Sequence, residues 1–215
     1  RHGHACALAC RPASDLVLVQ SEATRATLEP LGCAPRLIRP GIDLERFRPL
    51  PAAERAAVRA RHGIAPETRV LLHVGHLNRA RGLAALAPLQ GVAAQQVVVV
   101  GSSSTQQDEA LVAELRAAGV WVIDTFVPDI AAWYQLADCY LFPVQSALAS
   151  IDVPLSVLEA MACDLPVVCT RLPGLTRLFA PSAALRYVDG ASDLPAAVAD
   201  CRSGGNAGTR RLVEP

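Results

Sequence analysis

The sequence predicts an α/β domain built on a Rossmann-like parallel sheet with helices on both faces. Three observations carry that prediction. From Arg69 onward, short apolar runs such as "RVLLHVG", "QQVVVVG", "CYLFP" and "LPVVCT" alternate with helix-length segments. The runs are apolar at successive positions rather than at every second one, which marks strands buried on both faces, the usual state of parallel strands. Helices between them supply the crossovers that a doubly wound sheet requires.

The elements follow in order. "DLVLVQSEATRATLEPLG" reads as a buried strand, Leu16 to Val19, then a helix capped at Ser21 and ended by Gly32. "PRLIRPGIDLERFRPL" is a short strand and a connection punctuated by Pro and Gly. "AAERAAVRARHGI" is a polar-faced helix ending at Gly63. Then strand "RVLLHVG" leads to helix "RGLAALAPL", strand "QQVVVVG" to helix "DEALVAELRAAG", and strand "VWVID" to helix "IAAWYQLA". Strand "CYLFP", helix "PLSVLEAMA" and strand "LPVVCT" complete the series.

Composition narrows the function. The 215 residues carry 20 basic and 20 acidic side chains, so no basic excess points to nucleic acid. No apolar run reaches the roughly 18 residues of a membrane span, and the start lacks a charged-then-apolar leader; the expected location is cytoplasmic. The first residue is Arg1, which suggests a piece of a longer protein. Seven cysteines are an odd number in a chain too large to need disulfide staples. "HGHACALAC" groups His2, His4, Cys6 and Cys10, but without a Cys-x-x-Cys knuckle or second ligand pair it reads as a terminal amphipathic helix rather than a metal site.

In open α/β sheets, ligands bind beyond the carboxyl ends of the strands. Function is therefore expected in the loops after Val74, Val100, Asp124, Pro143 and Thr170. "GHLNRARG" offers Gly75, His76, Arg79 and Arg81 ahead of a helix expected near Gly82. Glycine admits close backbone approach, and arginine grips phosphate with paired donors. A basic side chain at a helix start opposes the helix dipole, so a resident anion explains it better than a solvated surface arginine. "VVVVGSSST" places Gly101 and Ser102 on the same edge, though three serines also make an ordinary turn and helix cap.

The third stretch is "SIDVPLSVLEAMACDLPVVCT", Ser150 to Thr170. Pro154 suits a first helical turn, and the amides of Val153, Leu155 and Ser156 form an anion site. Helical rotation puts Glu159 on a side shared with Leu155, Leu158 and Ala162, where a carboxylate needs a partner. Two partners are open: ligand hydroxyls such as a ribose diol, or a core arginine or backbone group.

Taken together, "LHVGHLNRARGL", "VVVVGSSST", "ADCYLFPVQSALASIDVPLSVLEAMACDLPVVCTRLPGL" and the upstream "DLVLVQSEATRATLEPLG" with "RLIRPGIDLERFRPL" resemble the group 1 (family 4) glycosyltransferases over about Asp15 to Phe179. "LEAMACDLPVV" is the most specific part. The resemblance implies a retaining, metal-independent transferase of the GT-B architecture, needing no cofactor and taking a nucleoside diphosphate sugar as donor in its C-terminal domain. Glu159 matches the second Glu of the family's Glu-seven-residues-Glu motif, which binds the donor ribose. Arg81 stands where the family usually has a phosphate-contacting Lys, and His76 where it usually has an Arg; these two are the catalytic candidates. Ile151 occupies the position of the motif's first Glu, which contacts the sugar, and Asp152 beside it is the candidate substitute by helical spacing.

The same resemblance divides the chain. Residues 1–40 are expected to be the remnant of an N-terminal acceptor domain, 41–50 the interdomain connection, 51–200 the nucleotide-sugar-binding domain and 201–215 a truncated tail. The acceptor is unidentified, and any peripheral membrane contact belongs to the missing N-terminal domain. Alone, the chain is expected to be inactive. Two rival functions stay open: a non-catalytic nucleotide-sugar-binding relative, favoured by Ile151, and a sugar-nucleotide epimerase of similar architecture.

Overall fold

The structure, a computed structural model, describes residues 16–38, 40–102, 106–144, 149–201 and 207–214. The "HGHACALAC" stretch lies outside them. The chain opens with β1 (Leu18–Val19), α1 (Glu22–Leu28) and β2 (Arg36–Leu37), and β1 and β2 pair in parallel as a separate small sheet. Ser21 caps α1 by accepting from the Thr24 amide at 3.1 Å, and Gly32 closes the turn that follows at φ +83°.

After α2 (Ala52–Arg61) comes the main sheet: β3 (Arg69–Gly75), β4 (Gln95–Gly101), β5 (Trp121–Ile123), β6 (Cys139–Phe142), β7 (Val167–Thr170) and β8 (Leu185–Val188). Its order is β5-β4-β3-β6-β7-β8, and every adjacent pair is parallel. α3 (Glu109–Ala117), α4 (Ile130–Leu136), α5 (Leu155–Ala162) and α6 (Pro173–Leu178) provide crossovers, and α7 (Leu194–Ala199) follows the last strand. The sheet separates two apolar layers: Val70, Leu72, Tyr140 and Met161 lie in one, Leu71, Val97, Leu115 and Leu141 in the other. Burying one such side chain is worth about 1.5–3 kcal/mol.

One expected helix is absent. Between β3 and β4 the chain runs as 3-10 turns, Arg79–Arg81 and Leu83–Gly91, with Gly82 at φ +73° between them and Pro88 inside the second. Pro88 has no N–H for an α-helical bond, and a β-carbon on Gly82 would stand 2.5 Å from the Pro143 carbonyl oxygen. The dipole argument for Arg81 therefore fails, since no α-helix starts there. α6, β8 and α7 extend the alternation beyond the last strand read from the sequence.

The polar face of α2 is partly buried. Arg55 and Arg59 both reach Asp138, at 2.8 and 3.1 Å, and Asp138 accepts from the Val70 amide at 2.8 Å. Arg59 also donates to the Thr68 carbonyl. This ion-paired cluster closes the amino end of the sheet, opposite the edge that concerns function. Arg210, near the end of the described chain, donates to the carbonyls of Leu44, Phe47 and Ala162, clasping the 41–50 segment onto the end of α5.

Candidate functional site

The strand order reverses between β3 and β6: the chain winds outward through β4 and β5, returns to β6 beside β3, and winds the other way. Such a reversal opens a crevice at the carboxyl edge. Register shows the opening directly. β3 pairs with β4 along its whole length, from Arg69↔Gln95 to Gly75↔Gly101, but with β6 only at Leu71↔Cys139 and Leu72↔Tyr140.

Beyond Leu72 the backbones part, and side chains take over their carbonyls. His73 Nδ1 lies 2.8 Å from the Leu141 oxygen, and the Tyr140 hydroxyl donates to the Val74 oxygen at 3.2 Å. The ring planes are 17° apart with centroids 6.3 Å apart. Both side chains are fully buried. Burial first, opposed by the Leu141 bond and aided by the nearby Arg81 charge, holds the His73 pKa down to about 3. Burial likewise pushes the Tyr140 phenol above its ordinary range.

Arg81 crosses the mouth of this crevice. Its Nη1 donates to the Ala149 carbonyl at 3.0 Å and its guanidinium lies 5.4 Å from the Phe142 ring centroid. Partial burial lowers its pKa, with the negative end of Tyr140 acting the other way. Arg79 has the bland role instead, pairing on the surface with Glu114 at 2.6 Å. His76 is half-buried just past β3, and the Ser102 amide donates to the Gly75 carbonyl at 3.0 Å. Gly75 and Gly101 each leave space a side chain would fill: His73 and Arg81 occupy it at Gly75, Leu77 at Gly101.

α5 brings in the rest. It starts at Leu155 with Pro154 as its cap residue, one position later than the sequence suggested, and its bonding begins with the Val157 amide donating to the Pro154 oxygen. The amides of Leu155 and Ser156 precede that first bond. Ser156 is hydrogen-bonded to Tyr140, tying the helix start to β6. Helical spacing does not reach Asp152, which lies in the bend before α5; its carboxylate accepts from the Thr24 hydroxyl at 3.3 Å and its backbone packs on Gly174. Ile151 is 52% exposed.

Glu159 is half-buried, and its partner is neither an arginine nor backbone. The Tyr134 hydroxyl of α4 donates to Oε2 at 2.6 Å. Burial raises the Glu159 pKa, and the Tyr134 bond and the Arg46 charge partly offset it. Sequence reasoning passed over Tyr134, Tyr140, Phe142 and His73. The signals were present in a histidine inside "RVLLHVG" and in the two aromatics of "CYLFP", spaced to share one strand face.

A switch-point crevice with an arginine across its mouth and a helix start beside it defines a phosphate- or nucleotide-binding α/β protein. The comparisons specify which. The family model for glycosyl transferases group 1 matches residues 68–201, and the chain belongs to that family. It is 32% identical over 150 residues to the D-inositol 3-phosphate glycosyltransferase of Pseudarthrobacter chlorophenolicus, covering 64% of this chain and 34% of that protein. With the enzyme of the same name from Geodermatophilus obscurus it shares 32% over 183 residues, 76% of this chain and 39% of the relative. The chain thus spans between a third and two fifths of these curated relatives.

Solved structures share the fold. Sucrose-phosphate synthase from Thermosynechococcus elongatus superposes with a TM-score of 0.75 at 24% identity, covering 98% of this chain and 56% of that one. Anabaena HepE in complex with UDP-glucose gives 0.78 at 18% identity, covering 98% and 60%. The fold is mixed α/β and Rossmann-like, of the kind found in GT-B glycosyltransferases. Among the described residues no helix is long and apolar enough to cross a membrane.

Proposed function

We propose that this chain is the donor-binding part of a retaining glycosyltransferase that takes a UDP-sugar and passes the sugar to an acceptor held by another domain. One observation carries the reading: Arg81, the parted ends of β3 and β6, and the amino end of α5 meet at one crevice. A diphosphate there would meet the Arg81 guanidinium, His76 and the Leu155 and Ser156 amides. As the bond to the sugar breaks, negative charge grows on the departing diphosphate, and fixed donors aimed at that charge lower the barrier. Glu159 would hold the ribose. Tyr134 engages one of its oxygens, and a carboxylate has lone pairs enough to accept from a diol as well.

Uridine is the base proposed, on the fold shared with a UDP-glucose-binding protein. No cofactor is needed in this reading. The division at residues 41–50 and the assignment of the first 40 residues to an acceptor domain belong to the same proposal. Calorimetric titration of the chain with UDP, UDP-glucose, GDP and ADP tests it. Binding of UDP in preference to the others is the expected result, and no binding to any nucleoside diphosphate would overturn it.

A second reading follows from Ile151, an exposed aliphatic side chain where a sugar-contacting Glu is expected. In that reading the chain binds a nucleotide sugar without transferring it. Slow hydrolysis of UDP-glucose by the protein including its acceptor domain supports transfer; tight binding with no hydrolysis over hours supports the binder.

A further inference from the structure

Cys139 and Cys201 meet at the amino end of the sheet, below the end of α7. Cys139 opens β6 in register with Leu71 of β3, and Arg69 stands two positions before Leu71, on the same face of the strand. From there Arg69 Nη2 donates to the carbonyls of Val198 and Cys201, both at 2.7 Å, drawing the end of α7 down onto the starts of β3 and β6. The two sulfurs are hydrogen-bonded to each other within the apolar layer that also holds Leu71, Leu141 and Val198. Neither is in a disulfide. Buried thiols ordinarily behave as small inert apolar groups. Cys163 and Cys169 fit that description, and burial pushes both up to about 12. Cys201 does not. The bond from Cys139 holds its thiol below the ordinary range, burial opposes the shift, and the charges of Arg186 and Arg69 assist it. The same bond, then burial, keeps the Cys139 proton in place. Among the described residues Arg69 bonds carbonyls rather than an acid, and its Nε is buried with no partner, so its charge is left to act on the sulfurs.

We propose that Cys139 and Cys201 form a site of reversible oxidation, which closes to a disulfide under peroxide and fastens the end of α7 to the first residue of β6. Cys201 is the attacking sulfur and Cys139 the resolving one, the pairing that redox-sensitive cysteines use. Cys201 is also the outer of the two, 3% exposed where Cys139 is wholly enclosed, and hydrogen peroxide is little larger than water. Its sulfur attacks one peroxide oxygen, the O–O bond breaks, and the other oxygen leaves as water once protonated. Cys201 is then a sulfenic acid. The Cys139 sulfur displaces the sulfenic hydroxyl, which departs as water with the Cys139 proton, and the S–S bond forms. Two thiols and one hydrogen peroxide become one disulfide and two waters, and a small dithiol reverses the bond by exchange. The site is independent of the donor crevice, which lies at the other end of the strands.

The test begins with the unsubstituted chain, treated with hydrogen peroxide while folded, then alkylated in denaturant, digested and read by mass spectrometry. The peptides of Cys139 and Cys201 should appear joined, two hydrogens lighter than their sum, and dithiothreitol should separate them. Thiols titrated in denaturant should fall from the seven in the sequence to five. Full alkylation of Cys139 and Cys201 under peroxide that oxidises Cys33 would overturn the proposal, and so would Cys201 joined to any other cysteine. Cys139→Ala removes the resolving sulfur, so Cys201 should stop at the sulfenic acid and be trapped by dimedone. A Cys201 that dimedone never labels in this variant, folded by circular dichroism, would deny it the attacking role. A urea melt of the unsubstituted chain decides whether the sulfurs are already placed to bond. Linking positions about 60 residues apart restricts the unfolded chain, so the oxidised form should melt at higher urea than the reduced one. A lower midpoint would mean that the bond has to distort the fold to form, and the site would not be a built one.

Discussion

His73 and Tyr140 cap each other's strands. The imidazole of β3 bonds the Leu141 carbonyl of β6 at 2.8 Å, and the phenol of β6 bonds the Val74 carbonyl of β3 at 3.2 Å. Where the ladder between these strands stops, two carbonyls would otherwise be left without a backbone donor, and a buried unsatisfied carbonyl costs about 1–3 kcal/mol. The exchange lets the sheet open at its switch point while staying dry. Arg81 and the start of α5 then close around an opening whose walls are already fixed.

Gly75→Ala tests how tightly that corner is filled. The new methyl would meet only the ends of two side chains, His73 Nε2 and Arg81 Nη2, at 3.0 and 3.2 Å. Side-chain tips yield more easily than backbone, so folding should lose only about 1 kcal/mol. Arg81 is half-buried where His73 is fully buried, so it is the one that moves. UDP affinity, followed by calorimetry, is expected to fall about five- to tenfold; unchanged affinity would mean that Arg81 works from elsewhere.

A pH dependence follows from His73. Its folded pKa of about 3 lies below the ordinary 6.5, so the fold favours the neutral ring. The associated stability is present in full above about pH 6.5 and is lost as pH falls toward 3, because the unfolded chain takes up a proton that the folded chain refuses. Between pH 6 and 4, His73→Phe should gain on the native chain by about 1.4 kcal/mol for each unit of acidification. Urea melts at a series of pH values measure it, and parallel stability curves would count against a buried neutral ring.

The opposite edge supplies a contrast. Asp138 joins Arg55 and Arg59, and Arg59 keeps only 6% of its side chain exposed. Asp138→Ala strands that guanidinium, and removing one partner of a buried pair costs about 3–5 kcal/mol. UDP affinity per folded molecule should not change, since the cluster lies at the amino ends of the strands. A matching loss of affinity would show that the two edges are coupled.

The legibility of this fold tracked how local each signal was. Strands buried on both faces announce themselves as apolar runs, so β3, β4, β6 and β7 were readable, and the loops at their carboxyl ends with them. The Leu83–Gly91 segment misled because leucine and alanine spacing suits an α-helix while Pro88 and the closeness of Gly82 to Pro143 forbid one. Asp152 was placed by a helical period that starts only at Leu155. Nothing local in the sequence marks Arg59 as buried and paired, because its acid lies 79 positions away. His73 and Tyr140 needed the strand order β3-β6, which no short stretch of sequence contains.

Glu159 brings the remaining question to a measurement. Its folded pKa is raised, mainly by burial, so the charged form gains nothing from the fold beyond what Tyr134 and Arg46 return. Glu159→Gln removes that burial cost and weakens the 2.6 Å bond from the Tyr134 hydroxyl without abolishing it, since the amide oxygen still accepts. No arginine is hydrogen-bonded to this carboxylate among the described residues, so the substitution strands no paired cation. The two effects oppose each other, and stability should change by less than about 1 kcal/mol, against the roughly 3–5 kcal/mol of a broken buried ion pair. UDP affinity should fall about tenfold to a hundredfold if the carboxylate accepts from both ribose hydroxyls, because charge-assisted bonds are worth about 1.5–3 kcal/mol. Uracil and pyrophosphate, which lack the ribose, should be blind to the change. Calorimetry and a denaturant melt on the same samples separate the outcomes: a large stability loss with unaltered affinity would make Glu159 a structural partner of Tyr134 alone.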